Sequence, residues 1–224
     1  MAHTYFTALY FFYAYFVYNI SMNVQDDEKK EQKIQVVLQN QNGMLFTHDL
    51  VKRGIPRSYL SILEKKGKIH RIERGVYASS NAIPDDLATL QSQYKKAIFS
   101  HETALFLLDL TDRSPLFFSV TVPSGYNATS LKARGAKVYF VKPALFPLGE
   151  IITKTPGGNE VKTYSLERTI CDLIRSRNLI DVQILHEALK RYVQRKDRDL
   201  DRLFQYARLF RIEKILRPTI EVLL

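Results

Sequence analysis

Residues 42–80, NGMLFTHDLVKRGIPRSYLSILEKKGKIHRIERGVYASS, decide the fold. Their punctuation spells a short helix, a tight turn, a second helix and a small basic hairpin, which is the layout of a winged helix-turn-helix. Thr47 is placed to offer a side-chain oxygen to the free amides of the turn that follows, Gly54 permits the reversal between helices, and Pro56 suits the opening of the next one. Gly67 ends that second helix. Leu60 and Leu63 are expected to point inward with help from Leu50 and Ile55, leaving Arg57, Ser58, Ser61 and Lys65 on the opposite side. A helix so arranged can enter a major groove. Beyond it, Ile69 and Ile72 alternate with His70 and Arg71, Arg74-Gly75 makes a turn, and Val76-Tyr77-Ala78 returns as the partner strand of the wing.

The charge of this stretch points the same way. Neutralising phosphates needs Lys and Arg at the groove edges, and Lys52, Arg53, Arg57, Lys65, Lys66, Lys68, Arg71 and Arg74 all fall here, opposed by Asp49, Glu64 and Glu73 alone. A winged domain also serves for packing or for gripping a protein, so the fold by itself does not fix the use. The whole chain leans the same way, with a net charge of +10 and a pI near 9.6, which favours a polyanionic partner over a neutral small molecule. Its single cysteine, Cys171, excludes an internal disulfide framework and a multi-cysteine zinc site, and makes a reducing cytoplasm the default.

Upstream, residues 4–20, TYFTALYFFYAYFVYNI, carry no charge and are crowded with Tyr and Phe. They fall short of the ~20 apolar residues of a spanning helix, lack preceding basic residues, and carry tyrosines along their whole length. With Met22 directly downstream, residues 1–22 read as an over-extended start or dispensable tail, a membrane anchor being the alternative. Asp26-Asp27-Glu28 then opens a helix whose buried stripe is Ile34, Val37 and Leu38, up to the break at Asn42-Gly43.

Downstream of the wing, residues 81–86 read as a linker between a domain at 23–80 and a second at 87–224. Residues 86–99 read as one helix, and Ser100 as the cap of another. LFFSVTV (116–122) and AKVYFV (136–141) read as strands, and Pro156-Gly157-Gly158-Asn159 as the turn of a hairpin. Ser165 caps a helix to Arg175, and two more helices follow at 181–194 and 199–217. The fold class is therefore α+β, a winged helix-turn-helix followed by a mixed α/β domain with a small sheet and terminal helices. The last helices are rich in cations: Lys190, Arg191, Arg195, Arg198, Arg202, Arg208 and Arg211 are a candidate second basic surface, or simply a solvated one.

Catalytic patterns are weak. No glycine loop of dinucleotide or Walker type is present, and the five histidines lack metal-ligand spacing. Ser100-His101 invites a nucleophile–base reading, but neighbours on one chain rarely present that geometry, and capping is the plainer role. Glu160-Val161-Lys162 has the Glu-x-Lys form of metal-dependent nucleases without an identifiable upstream acid, since Pro84-Asp85 lies in the linker. No catalysis, no cofactor and no metal are expected.

In order along the chain, GMLFTHDLVKRGIPRSYLSILEKKGKIHRIERGVYA, SHETALFLLDLTDRSP, FSVTVPSGY and TYSLERTICDLIR resemble the AbiEi-like antitoxins of type IV toxin-antitoxin systems, which are transcriptional regulators of abortive-infection loci. The likeness covers about residues 29–217. It implies a winged helix-turn-helix that binds inverted repeats in the promoter of its own operon, and a C-terminal domain that counteracts a nucleotidyltransferase-like toxin without a tight complex. The positions matching the DNA-reading helix and wing are Arg57, Ser58, Tyr59, Ser61, Lys65, Arg71 and Arg74, with Lys68 beside them. The Ser165–Thr169 start matches a family signature, in which Glu167 and Arg168 suggest a structural pair. The aromatic front departs from the pattern. A protein-interaction module using the basic C-terminal helices, and a metal-dependent nuclease at Glu160 and Lys162, are the alternatives.

Overall fold

The computed structural model describes residues 26–224; the aromatic front, and with it the question of an anchor or a misplaced start, lies outside them. Among the described residues no helix is long and apolar enough to cross a membrane. The chain divides into two compact units, one ending at Pro84 and one spanning Asp85–Leu224, and the described elements form a mixed α+β architecture with two sheets.

In the first unit a helix covers residues 26–40 (α1), followed by β1 (Met44–Phe46), α2 (Thr47–Lys52), α3 (Ser58–Lys65), β2 (His70–Glu73) and β3 (Val76–Ala78). The short helices end as their glycines dictate. Gly54 and Gly67 take φ of +67° and +66°, the left-handed region where a side chain would be strained. After α2, the amide of Gly54 donates to the Val51 carbonyl and that of Ile55 to Leu50; after α3, Gly67 donates to Glu64 and Lys68 to Leu63. Both ends are thus Schellman closures that satisfy orphan carbonyls, and the first folds Ile55 back beside Leu50. Ile34, Val37 and Leu38 of α1 join Leu45, Leu50, Ile55, Leu60, Leu63 and Ile69 in one core. The strands form an antiparallel sheet in the order β1-β3-β2, so MLF, which has no alternation to betray it, is a buried edge strand paired with the return arm of the hairpin.

The second unit contains α4 (Asp86–Gln93), β4 (Ile98–Phe99), α5 (His101–Leu107), β5 (Ser119–Pro123), α6 (Thr129–Ala133), β6 (Lys137–Val141), β7 (Glu150–Lys154), β8 (Glu160–Tyr164), α7 (Leu166–Arg175), α8 (Val182–Gln194), α9 (Leu200–Leu209) and α10 (Glu213–Glu221). Its five strands run β6-β5-β4-β8-β7, with β4 antiparallel to β5 and parallel to β8. Two expected helices are divided. The 86–99 stretch stops at Gln93, and Ile98-Phe99 becomes the central strand because Thr121 and Thr163 pair with it from either side. The 199–217 stretch breaks at Arg211, whose φ of +58° ends the helical run; the helix resumes at Glu213 and runs through Pro218 to Glu221.

Asp85 and Asp86, expected in a linker, begin α4. The Asp85 carboxylate accepts from the Ala88 amide at 3.0 Å as a helix cap, and also from the Thr155 hydroxyl and the Asn159 amide group (2.7 Å to the latter). One buried acid therefore ties the start of α4 to the turn between β7 and β8.

The helix α7 lies at the centre of the helical layer, with residues 167–174 all buried and α5, α8, α9 and α10 packed around it. Here the expected Glu167–Arg168 pair does not form. Glu167 accepts from the Asp199 amide at 3.3 Å, steadying the start of α9, while Arg168 donates through Nε to Asp172 at 3.0 Å. Arg168 Nη1 donates to the carbonyls of Leu145 and Leu148 at 2.8 and 2.6 Å, and its guanidinium lies between the rings of Tyr164 and Phe210, 3.9 and 4.5 Å from their centroids. Gly149, at φ +75°, is required by this packing, since a Cβ there would stand 2.7 Å from Arg168 Cβ. The Ser165–Thr169 start thus has a physical role: it plants one arginine that closes the loop ahead of β7 onto the helical core.

Candidate nucleic-acid interface

The surface of α3 is sorted by its periodicity. Tyr59, Leu60 and Leu63 are buried, whereas Ser58, Ser61, Ile62 and Lys65 are exposed and share one face through their three- and four-residue spacings. Arg57 stands exposed at the head of this face and Lys65 at its foot. Neither side chain has a hydrogen-bond or ion-pair partner among the described residues, and the same holds for Arg74 in the hairpin turn. Arg57 and Lys65, which no carboxylate of the described residues neutralises, therefore border a face that carries the hydroxyls of Ser58 and Ser61.

Two expected contact residues sit differently. Tyr59 turns inward, at 3% exposure, and its hydroxyl donates to the Asp27 carbonyl at 3.1 Å, so it fastens α3 to α1 and is unavailable to a ligand. The resemblance placed Tyr59 on the DNA-reading helix, but its ring occupies a core position one residue before Leu60. Lys68 is exposed yet, with Lys66, engages Glu31 of α1, whose carboxyl these two ammonium groups hold below the ordinary carboxylate range. Arg71 is exposed and donates through Nε to the Glu73 carbonyl at 3.2 Å.

The hairpin is fixed to the helices by Thr47, though not as a cap. Its amide and hydroxyl both donate to the Gly75 carbonyl, at 2.9 and 3.2 Å. Asp49 does the capping instead, accepting from the Phe46 amide at 3.1 Å. Gly75 takes φ +80° with Thr47 Oγ1 3.4 Å from where a Cβ would lie, so the turn carrying Arg74 is held against the start of α2. The hairpin turn is thereby bonded to the start of α2, which shares one core with α3 through Leu50, Leu60 and Leu63.

The other candidate centres are spent on the fold. Ser100 makes no cap; its Oγ accepts from the Thr121 hydroxyl at 2.8 Å and lies 2.9 Å from His101 Nδ1. His101 Nε2 meets Ser176 Oγ at 3.0 Å, and the ring stacks on Tyr139 with centroids 3.5 Å apart. The nucleophile–base distance that adjacent residues rarely attain is reached here, with His101 at φ +50°, but both residues are buried. Burial, then the nearby Arg175 and Arg168, pushes the imidazole pKa from 6.5 down to about 3. The unfolded chain takes up this proton below about pH 6.5 and the folded protein does not, so stability from this site falls as pH drops from 6.5 toward 3. Asn tolerates the left-handed backbone, and His101→Asn should therefore remove a slope of up to ~1.4 kcal/mol per pH unit from urea-unfolding stabilities measured between those limits. A variant whose slope equals that of the parent would refute this account.

Lys162 pairs with Glu150 at 2.7 Å and Glu160 is exposed, while Asp85 is saturated by its three donors. Among the described residues no group of three His, Cys, Asp or Glu is placed to hold a metal ion. The basic C-terminal residues are largely paired: Arg191 with Asp112 and Glu187, Arg195 with Asp197 at 2.8 Å, Arg202 with Asp199 at 3.4 Å, and Arg208 with Glu213 at 3.5 Å. Arg198 donates to the Arg195 carbonyl at 2.8 Å, which leaves Lys190 and Arg211 as the exposed members of that set whose side chains have neither a hydrogen-bond nor an ion-pair partner among the described residues. Cys171 is buried, its thiol pushed up by burial.

A comparison with curated proteins finds no match. Among solved structures the chain resembles the crystal structure of the RV2827C protein from Mycobacterium tuberculosis, with a TM-score of 0.50 at 16% identity over 80% of this chain and 71% of that one, a likeness of fold. The stretch that contains α2, α3 and the hairpin has a sharper relation: residues 33–80 match the family model described as "Transcriptional regulator, AbiEi antitoxin".

Proposed function

We propose that the unit ending at Pro84 is a winged helix-turn-helix that reads duplex DNA, with α3 in the major groove and the β2–β3 hairpin as the wing. One observation carries the reading: Arg57 and Lys65, neither neutralised by a described residue, border the outward face of Ser58 and Ser61, and Arg74, likewise without a described partner, stands in a hairpin turn that Thr47 bonds to the start of α2. The family match over residues 33–80 supports the same use.

On this reading the protein is a cytoplasmic, non-catalytic repressor of its own operon that binds inverted repeats in the promoter. It acts as the antitoxin of a type IV abortive-infection system, opposing a nucleotidyltransferase-like toxin encoded beside it, with no cofactor and no small-molecule substrate. The alternative of an acidic partner for the C-terminal helices has less support, because most of those arginines already hold carboxylates. The test is retention of the DNA upstream of its own reading frame in gel-shift titrations at several salt concentrations. Binding should weaken linearly in log–log form, with a slope of about −0.9 per phosphate neutralised. Absence of retention even at low salt would overturn the proposal.

A further inference from the structure

The exposed face of α3 holds one residue that neither phosphate binding nor packing explains. Ile62 is 41% exposed in the middle of that face, four residues after Ser58 and three before Lys65. The two faces of α3 are otherwise well separated, with apolar Leu60 and Leu63 in the core. A single exposed isoleucine is unremarkable on most surfaces. On a helix face bordered by unpaired cations it stands where bases would be met, and the chemistry available to it is narrow. Backbone phosphates and sugars offer a branched alkyl group nothing specific, and of the groups on the major-groove floor only the thymine C5-methyl is apolar.

Resting on the DNA-binding reading, we infer that Ile62 is a specificity-determining residue that contacts a thymine methyl in each half-site. Lys65 adds a constraint on the neighbouring base. Three residues of helix advance about 4.5 Å, and a base step advances about 3.4 Å, so the acceptor-bearing base reached by Lys65 lies one or two steps from that thymine. Guanine, with N7 and O6, suits it best. Ser58, one turn earlier, accepts or donates and imposes less.

The experiment acts on the DNA as well as on the protein. Duplexes selected by the full chain from a random-sequence pool are resynthesised with each thymine replaced in turn by uracil, which removes only the methyl. At one thymine per half-site the replacement should weaken the parent protein roughly fourfold, the value of one buried methyl-sized group, and leave the other positions near unity. Ile62→Ala should bind the thymine and uracil duplexes equally at that position, and since Ile62 is exposed its loss leaves the core intact. Uniform indifference of the parent to uracil, or an Ile62→Ala variant that retains the parent's uracil penalty, overturns the inference while the DNA-binding reading stands. Recovery of no preferred duplex at all overturns both.

Discussion

Arg168→Met lowers the stability of the Asp85–Leu224 unit by about 3–5 kcal/mol, the range for removing one partner of a buried ion pair. The variant matches the arginine stem in length and apolarity, so the loss reports the guanidinium. Asp172 is left fully buried, with Arg175 at 3.0 Å as its remaining cation, and the carbonyls of Leu145 and Leu148 lose their donor. Burial raises the Asp172 carboxyl while Arg168 and Arg175 pull against it; without Arg168 that balance shifts further toward the neutral acid. Combining Arg168→Met with Asp172→Leu should recover part of the loss, because the isolated charge disappears, but not the share owed to the two carbonyls. Urea unfolding followed by circular dichroism reads both effects. A single-variant loss under ~1 kcal/mol would mean that Arg168 merely fills space.

That arginine also shows where the sequence was legible and where it was not. Helix ends written by one residue could be read: Gly54 and Gly67 close α2 and α3 as their left-handed preference requires, and the Gly-rich turn between β7 and β8 falls where expected. The outward face of α3 followed from the spacing of Leu60 and Leu63. What failed depended on partners distant in sequence. Ile98-Phe99 looks like a helix tail until Thr121 and Thr163 are placed on either side of it. Asp85 looks like a linker acid until the β7–β8 turn arrives beside it. Arg168 has a near neighbour of opposite charge in Glu167, yet the partner one helical turn on, Asp172, faces the same side and takes the contact. The break at Arg211 carries neither Gly nor Pro, so no local signal announced it. Tyr59 failed for another reason: a phenol serves a core and a surface equally well, and only the position of the Asp27 carbonyl decides between them.

Replacing Arg57 and Lys65 together by Ala should abolish retention of the protein's own upstream DNA at moderate salt. At salt low enough for residual binding, the slope of log affinity against log salt should shrink in magnitude by about 1 unit for each of the two cations that neutralises a phosphate. The folded state should be unaffected, since both side chains are exposed and bond to no described residue. If Arg57 grips a guanine edge instead of a phosphate, its share appears as ~1–3 kcal/mol lost on the preferred duplex alone, with little change on unrelated DNA. The pair therefore separates positioning contacts from reading contacts as well as testing for binding. Lys190→Ala with Arg211→Ala supplies the contrast, because the side chains of these members of the second basic surface have no partner among the described residues. If DNA is held through the winged face, this double variant keeps the parent's slope. If the terminal helices grip the duplex, it is the variant whose slope falls, and undiminished retention by the Arg57/Lys65 variant would then remove α3 from the interface.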